Sequence, residues 1–379
     1  MNKPKELGGK IMTTPFKILM IFAGIAAVLM LKRFIFGLGS VTNLNDGYPW
    51  GLWITYDVVT GTAIACGGYS MAMLVYMLNG GKYHPLVRSA LMAGMFGYTL
   101  AGVSIYLDVG RWWQLHNIFL PWYANTNSVM FEVAVCVASY VAVMWIEFSP
   151  AFLEKLNKTN ALRKLKKVMF IFIALGILLP TMHQSSLGTM MIMAGSKLSP
   201  LWQTPWLPLL FLMSAISMGF AIVVFESLFV STTMNRPFET PLLSKIGKII
   251  AYLIVAYLAI RLTDLIWRGT LGSVLNCDLK SFMFLFENAL YIYPVVILTS
   301  SKKRQSRQFL FLSASSMVFA GVIYRFNTYL IGFDPGGGYH YFPAVQEILI
   351  TVGIISMEII LYLIFIKRLP VLPEVKTAT

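Results

Sequence analysis

The sequence predicts an all-α polytopic membrane protein, and three observations carry that prediction. Hydrophobic residues make up 57% of the 379 residues and charged residues 12%, about half the ~25% usual in soluble chains. Sixteen carboxylates and thirty Lys/Arg cannot cover a soluble body of this length, and the same composition excludes disordered, collagen-like and disulfide-scaffold classes. Second, about ten apolar runs of ~20 residues follow one another, each long enough for a ~30 Å hydrocarbon core. Third, 22 of the 30 Lys and Arg residues fall in the N-terminus, after even-numbered spans or in the C-terminus, and 6 after odd-numbered spans. By the positive-inside rule both termini are then cytoplasmic.

The spans are 16–38, 50–78, 86–107, 126–147, 167–188, 206–231, 243–267, 281–300, 308–331 and 346–367. In the first, the run Ile18 to Leu31 precedes Lys32-Arg33 without a small-residue cleavage site, so it reads as a retained span rather than a signal peptide. The second opens at Pro49-Trp50 and the third closes at Asp108-Val109-Gly110-Arg111-Trp112. The fourth has Phe131-Glu132 just inside its start and ends at Glu147, read as a snorkelling residue. The basic stretches Arg163-Lys164-Leu165-Lys166-Lys167 and Lys302-Lys303-Arg304 are topology determinants, not nucleic-acid patches. The sixth span opens at Pro205-Trp206, the seventh closes on Arg261 and Asp264, and the eighth contains Phe286-Glu287. Pro335-Gly336-Gly337-Gly338 is a turn before the tenth; no strand precedes it and no Lys-Ser/Thr follows, so it is not a phosphate loop. Cys66, Cys136 and Cys277 form no Cys-x-x-Cys pair, so no metal cluster is expected on this chain.

Three landmarks recur at an offset of 155–156 residues: Trp50 and Trp206, Asp108 and Asp264, Glu132 and Glu287. They imply a duplication: two parallel-repeated four-helix bundles, spans 2–5 and 6–9, with spans 1 and 10 peripheral. The organisation expected is 1–49 (N-terminus, first span, outer loop), 50–205 (first bundle), 206–331 (second bundle) and 332–379 (Gly-rich loop, tenth span, tail). The outer loops carry many aromatics, Trp202 among them, most of which read as an interfacial belt.

An ionisable residue inside a span costs several kcal/mol and is a functional candidate by default. At ~1.5 Å per residue, Asp57 lies ~10 Å below the outer face, and Glu132 and Glu287 are expected at similar depth. His183, in Pro180-Thr181-Met182-His183-Gln184-Ser185-Ser186, falls in the outer third of the fifth span, where Pro180 should leave the backbone irregular. Arg261 and Asp264, three residues apart, are expected to pair on one helix face, and Arg325 to face Glu287. The inner half holds chiefly Glu226, Glu358 and Glu147. The candidate proton-handling groups are Asp57, His183 and Glu132. Of four histidines only His183 lies inside a span, so a haem with two axial histidines is not expected.

The runs Phe36-Gly37-Leu38-Gly39-Ser40-Val41, Gly47-Tyr48-Pro49-Trp50-Gly51-Leu52-Trp53, Tyr83-His84-Pro85-Leu86-Val87-Arg88, Asp108-Val109-Gly110-Arg111, Leu179-Pro180-Thr181-Met182-His183-Gln184-Ser185-Ser186 and Pro335-Gly336-Gly337-Gly338-Tyr339 resemble the NrfD/polysulfide-reductase membrane-subunit family. Within it they resemble the membrane subunits of Hyb-type uptake nickel–iron hydrogenases, over nearly the whole chain. The resemblance implies a multi-pass protein of the bacterial inner membrane that reduces menaquinone or ubiquinone without haem. It also implies a ferredoxin-like iron–sulfur subunit docked on the outer face, fed by the hydrogenase large and small subunits. On that reading Tyr56, Asp57, Asp108 and His183 would line the quinone site. Glu226, Glu132 and Glu358 would relay protons, and Arg111, Trp112, Trp113 and Tyr339 would dock the partner. The alternatives are another donor module (polysulfide, nitrite or formate) or a proton-coupled transporter without redox partners. Beyond those protein partners the chain needs only quinone and the lipid bilayer, and no nucleic acid.

Overall fold

The structure, a computed structural model, describes residues 4–234 and 238–373. Ten helices in it are long and apolar enough to cross a membrane. They are α1 (Thr14–Phe36), α2 (Trp53–Met77), α3 (His84–Asp108), α4 (Val129–Lys155), α5 (Thr159–Met193), α6 (Leu207–Thr233), α7 (Thr240–Trp267), α8 (Leu279–Leu298), α9 (Arg307–Ile331) and α10 (Val345–Arg368). Their ends follow elementary capping rules. Thr13 and Asp278 accept backbone N–H bonds from Phe16 and Ser281 at the starts of α1 and α8, satisfying donors that have no partner within the helix. Pro sits in the first turn of α1, α6 and α7, where its missing N–H costs nothing. The α4 and α5 helices extend about two turns past their apolar runs, so Glu147 lies well inside α4 rather than at its end.

Two helices depart from α geometry. Trp53–Thr60 and Met73–Met77 of α2, and Asn327–Ile331 at the end of α9, are π-helical. Such turns are rare and gather at functional positions. By contrast α5 continues through Pro180 without a break, so the irregular backbone expected beside His183 is not found; the helical φ of proline is accommodated and only its N–H is lost.

Contacts divide the chain into two compact units, with boundaries inside α2, α3 and α5. The first comprises 1–62, 87–179 and 335–379, the second 63–86 and 180–334. This is a different partition from the sequence repeat. In the first unit α1 packs along α10, at a point where a Cβ on Gly353 would run into Ala26 and the carbonyl of Phe22. Small residues of this kind let membrane helices approach closely. Val41, Trp53, Leu100, Leu107, Ile350 and Ile354 form its core. Its two chain ends meet as a two-residue antiparallel pair, β1 (Pro4–Lys5) with β2 (Leu372–Pro373). In the second unit α6 packs on α7 and α9, and α8 on the same two helices. The latter half of α2 lies on α6, where Gly219 admits the carbonyl of Cys66 and the hydroxyl of Ser70.

Candidate functional site

In the first unit the π-helical opening of α2 delivers Asp57 to the interior, 6% exposed. Its Oδ2 accepts hydrogen bonds from Ser104 Oγ of α3 at 3.1 Å and Thr351 Oγ1 of α10 at 3.3 Å. Among the described residues no Lys, Arg or His forms an ion pair with it. Glu358 and Asp108 act on it through space, and Tyr56 feels both Asp57 and Glu358. Glu347, Thr351 and Glu358 share one face of α10 by their spacing, so this helix brings a hydroxyl and two carboxylates to the same side. Ser104 and Thr351 were not singled out from the sequence. The signal available was their position one helical turn from Asp108 and Glu347, respectively.

Glu347, 1% exposed, holds the loops over this region. It accepts from Tyr341 Oη at 2.5 Å and from the backbone N–H groups of Asn43 and Ala344 at 2.8 and 2.9 Å. Trp53 Nε1 donates to its carbonyl at 3.3 Å, and Tyr341 Oη accepts from Leu52 N–H at 2.7 Å. Burial and the Glu347 carboxylate push the Tyr341 phenol well above its ordinary value. Arg33, 1% exposed, is no surface topology residue: it donates to the carbonyls of Leu107 and Val109, both at 2.6 Å, and so caps α3 beside Asp108. Glu132 stands in the first turn of α4, three residues from its start, and Glu287 lies eight residues into α8.

Past α3 the chain makes a 3-10 segment, Trp112–Phe119, with Arg111 exposed at its start. Trp112 packs edge-on against Phe34, Tyr106 and Trp113. Trp113, Phe119, Trp122 and Tyr123 are 57–74% exposed, and Tyr339 is 45% exposed. These open aromatics lie on segments outside the membrane-spanning helices.

The second unit is organised around a buried ion pair. Arg261 donates to Glu287 Oε1 and, at 2.8 Å, to Tyr257 Oη. Glu287 Oε2 accepts from Trp202 Nε1 at 2.9 Å and Asn327 Nδ2 at 2.7 Å. Three sequence expectations change here. Arg261 pairs with Glu287 rather than with Asp264, which instead binds Arg268 at 2.7 Å. Arg325 turns to Ser214 Oγ at 3.1 Å and Gln184 Oε1 at 3.3 Å and lies over the Phe211 ring. Trp202, 1% exposed, is a core ligand of Glu287 and not part of an aromatic belt. Glu287, fully buried, takes the buried cation, while Asp264 is served by Arg268 from the next turn of its own helix. His183 and Gln184 are both fully buried, and Tyr329 Oη donates to the Leu187 carbonyl at 2.8 Å in the next turn. Glu226 is half-buried in α6. Asp57 and His183 belong to different units, and the hydrogen-bond partners of Asp57 do not include Tyr56 or Glu132.

The donor set does not fit a haem with two histidine ligands. His183 lies within α5, His84 opens α3, His116 lies in the 3-10 segment Trp112–Phe119 and His340 in the loop before α10, so only His183 stands in the interior of a membrane-spanning helix. Among the described residues no group of three His, Cys, Asp or Glu could hold a metal ion.

Residues 40–332 match the family described as Polysulphide reductase, NrfD. The chain is 46% identical over 378 residues to the Probable Ni/Fe-hydrogenase 2 b-type cytochrome subunit of Escherichia coli (strain K12), covering 99% of this chain and 96% of that one. It is 31% identical over 240 residues to the Menaquinone reductase, integral membrane subunit of Nitratidesulfovibrio vulgaris, covering 60% and 56%. It is 20% identical over 388 residues, 95% and 94% of the two chains, to the Hdr-like menaquinol oxidoreductase integral membrane subunit of Archaeoglobus fulgidus. The ten apolar helices and the family match across most of them lead to one conclusion: this chain is a multi-pass integral membrane protein belonging to the NrfD family.

Proposed function

We propose that the chain is the quinone-reactive membrane subunit of a hydrogen-oxidising nickel–iron complex. Electrons arrive from a ferredoxin-like iron–sulfur subunit, itself served by hydrogenase large and small subunits, and pass to menaquinone or ubiquinone. No haem takes part. The observation that carries the reading is Asp57: a buried membrane carboxylate bound by two hydroxyls and no cation, in a π-helical turn, in an NrfD-family chain. Quinone reduction consumes two electrons and two protons, and the protein must supply the protons at the quinone oxygens. A carboxylate not neutralised by an ion pair can give up and regain a proton, whereas Glu287 is committed to Arg261.

In this proposal Asp57 and Tyr56 bind and protonate one quinone oxygen, with Ser104 and Thr351 holding the Asp57 carboxylate in place. Asp108 lines the same quinone site, Glu132 and Glu358 serve as proton relays, and Glu226, in the other unit, is tested as a relay by itself. His183, enclosed in its own unit with Gln184, acts in the same reaction and is tested separately. The resemblance of 46% to a subunit named for Ni/Fe-hydrogenase 2 favours hydrogenase over polysulfide, nitrite or formate donors. The Lys/Arg bias supports cytoplasmic termini in a bacterial inner membrane, and the recurring Trp, Asp and Glu landmarks support two duplicated four-helix bundles.

Asp57→Asn and His183→Ala each cut quinone-linked hydrogen oxidation about a hundredfold or more, the scale of a positioned proton donor, while dye-linked oxidation by the intact complex stays unchanged. Wild-type quinone rates in both variants would put the site elsewhere. The partner docks on Arg111, Trp112, Trp113 and Tyr339, since Arg and Trp dominate interface hot spots. Replacing Arg111 and Trp112 together by Ala releases the iron–sulfur subunit from solubilised complex. A complex that survives gel filtration with both changes would remove this face from the interface.

A further inference from the structure

We propose that the groove between the first turns of α1 and the last turns of α10 binds an anionic glycerophospholipid of the leaflet on the side of the two termini. The groove, about 640 Å³, is walled by Phe16 and Met20 of α1 and Ile360 and Ile364 of α10, and its rim carries Lys10 and Arg368. Its origin is a change in side-chain size along one helix pair. At Gly353 and Ala26 the two helices touch; nearer the termini the facing positions are large, and space opens between them.

The rim is built. Leu7 and Gly8 donate their backbone N–H groups to the carbonyls of Ile366 and Lys367 at 3.2 and 3.1 Å, tying the segment after β1 to the last turn of α10. Lys367 Nζ donates to the Lys10 carbonyl. The N-terminal strand is thus laid against the end of α10, which sets Lys10 beside Arg368. Both side chains are exposed, and among the described residues neither makes an ion pair. Glu6 lies in the field of Arg368 but is bound to Lys155.

Two cations at the mouth and an apolar wall running from them toward the bilayer centre match one chemistry: a phosphate headgroup above acyl chains. Basic pockets between membrane helices bind anionic headgroups for this reason, each Lys or Arg near the surface adding to the attraction. A zwitterionic lipid offers the same chains without net charge, and a quinone offers a tail without an anion.

The test is native mass spectrometry of the purified full-length chain, given phosphatidylglycerol and phosphatidylcholine of identical acyl chains. The wild type retains phosphatidylglycerol over phosphatidylcholine by about tenfold, the order expected of two basic side chains. K10Q together with R368Q abolishes the preference. Ile360→Trp, which fills the apolar wall, weakens retention of phosphatidylglycerol with both cations intact. K5Q together with K166Q, on a neighbouring basic surface, leaves the preference in place. Equal retention of both lipids by the wild type overturns the proposal, as does a preference that survives K10Q/R368Q or is lost equally in K5Q/K166Q. Displacement of the lipid by menaquinone, one for one, overturns it in favour of a quinone site.

Discussion

Asp57 and Glu287 are both buried carboxylates on membrane helices, one in each unit, and their surroundings are opposite. Glu287 has a cation, an indole and an amide: Arg261, Trp202 and Asn327. Asp57 has two hydroxyls. Hydroxyls satisfy lone pairs without neutralising charge, so the Asp57 arrangement tolerates either protonation state, whereas the Glu287 arrangement is complete only with the carboxylate ionised. The difference separates a carboxylate committed to its counter-charge from one held only by neutral donors.

Four variants break or sharpen that contrast. The largest effect belongs to Glu287→Gln, which leaves Arg261 buried without its counter-charge; loss of one partner of such a pair costs about 3–5 kcal/mol. The thermal midpoint of the solubilised chain falls steeply, and a combined Arg261→Leu, Glu287→Leu change recovers much of the loss because it removes both charges. Asp57→Asn, measured alongside, keeps the shape and lowers the midpoint far less. An equal fall in the two single variants would erase the distinction. The smallest effect is that of Glu226→Gln. Moving a charge through the whole field costs about 2.3 kcal/mol per 100 mV, so a relay through Glu226 makes turnover in proteoliposomes depend on membrane potential. The Gln variant weakens that dependence, and identical voltage curves would take Glu226 out of the path.

The fold was largely legible because long apolar runs admit few alternatives: all ten helices lie where hydropathy places them. The ends of α4 and α5 were not, since charged helical turns beyond the membrane carry no apolar signal. Burial at Asp57 was legible, because a carboxylate inside an apolar run must find partners in the protein interior. Rotation was not. In α2 the π-helical turns upset counting by three and four, and helix rotation is set by neighbours such as Ser104 and Thr351 that lie far away in sequence. The pairing of Arg261 failed for a related reason. Asp264 is the nearer carboxylate along the chain, but Glu287 is the more deeply buried and Arg268 is free to serve Asp264. The roles of Arg33 and Trp202 were hidden because an arginine near a span end and a tryptophan in a loop usually mark the membrane surface.

The π-helical opening of α2 has an evolutionary consequence. A π turn winds more chain into a given axial distance than an α turn, so Trp53–Thr60 holds surplus residues without lengthening the helix. A one-residue deletion there can be taken up by reverting to α geometry, with the rest of α2 staying in register. The same deletion in the regular α3 would turn every later side chain by ~100°. Gene-length variation in this family should therefore be tolerated at 53–60, yet each such event swings Asp57 away from Ser104 and Thr351. The stretch most forgiving to the fold is the least forgiving to the contacts of Asp57.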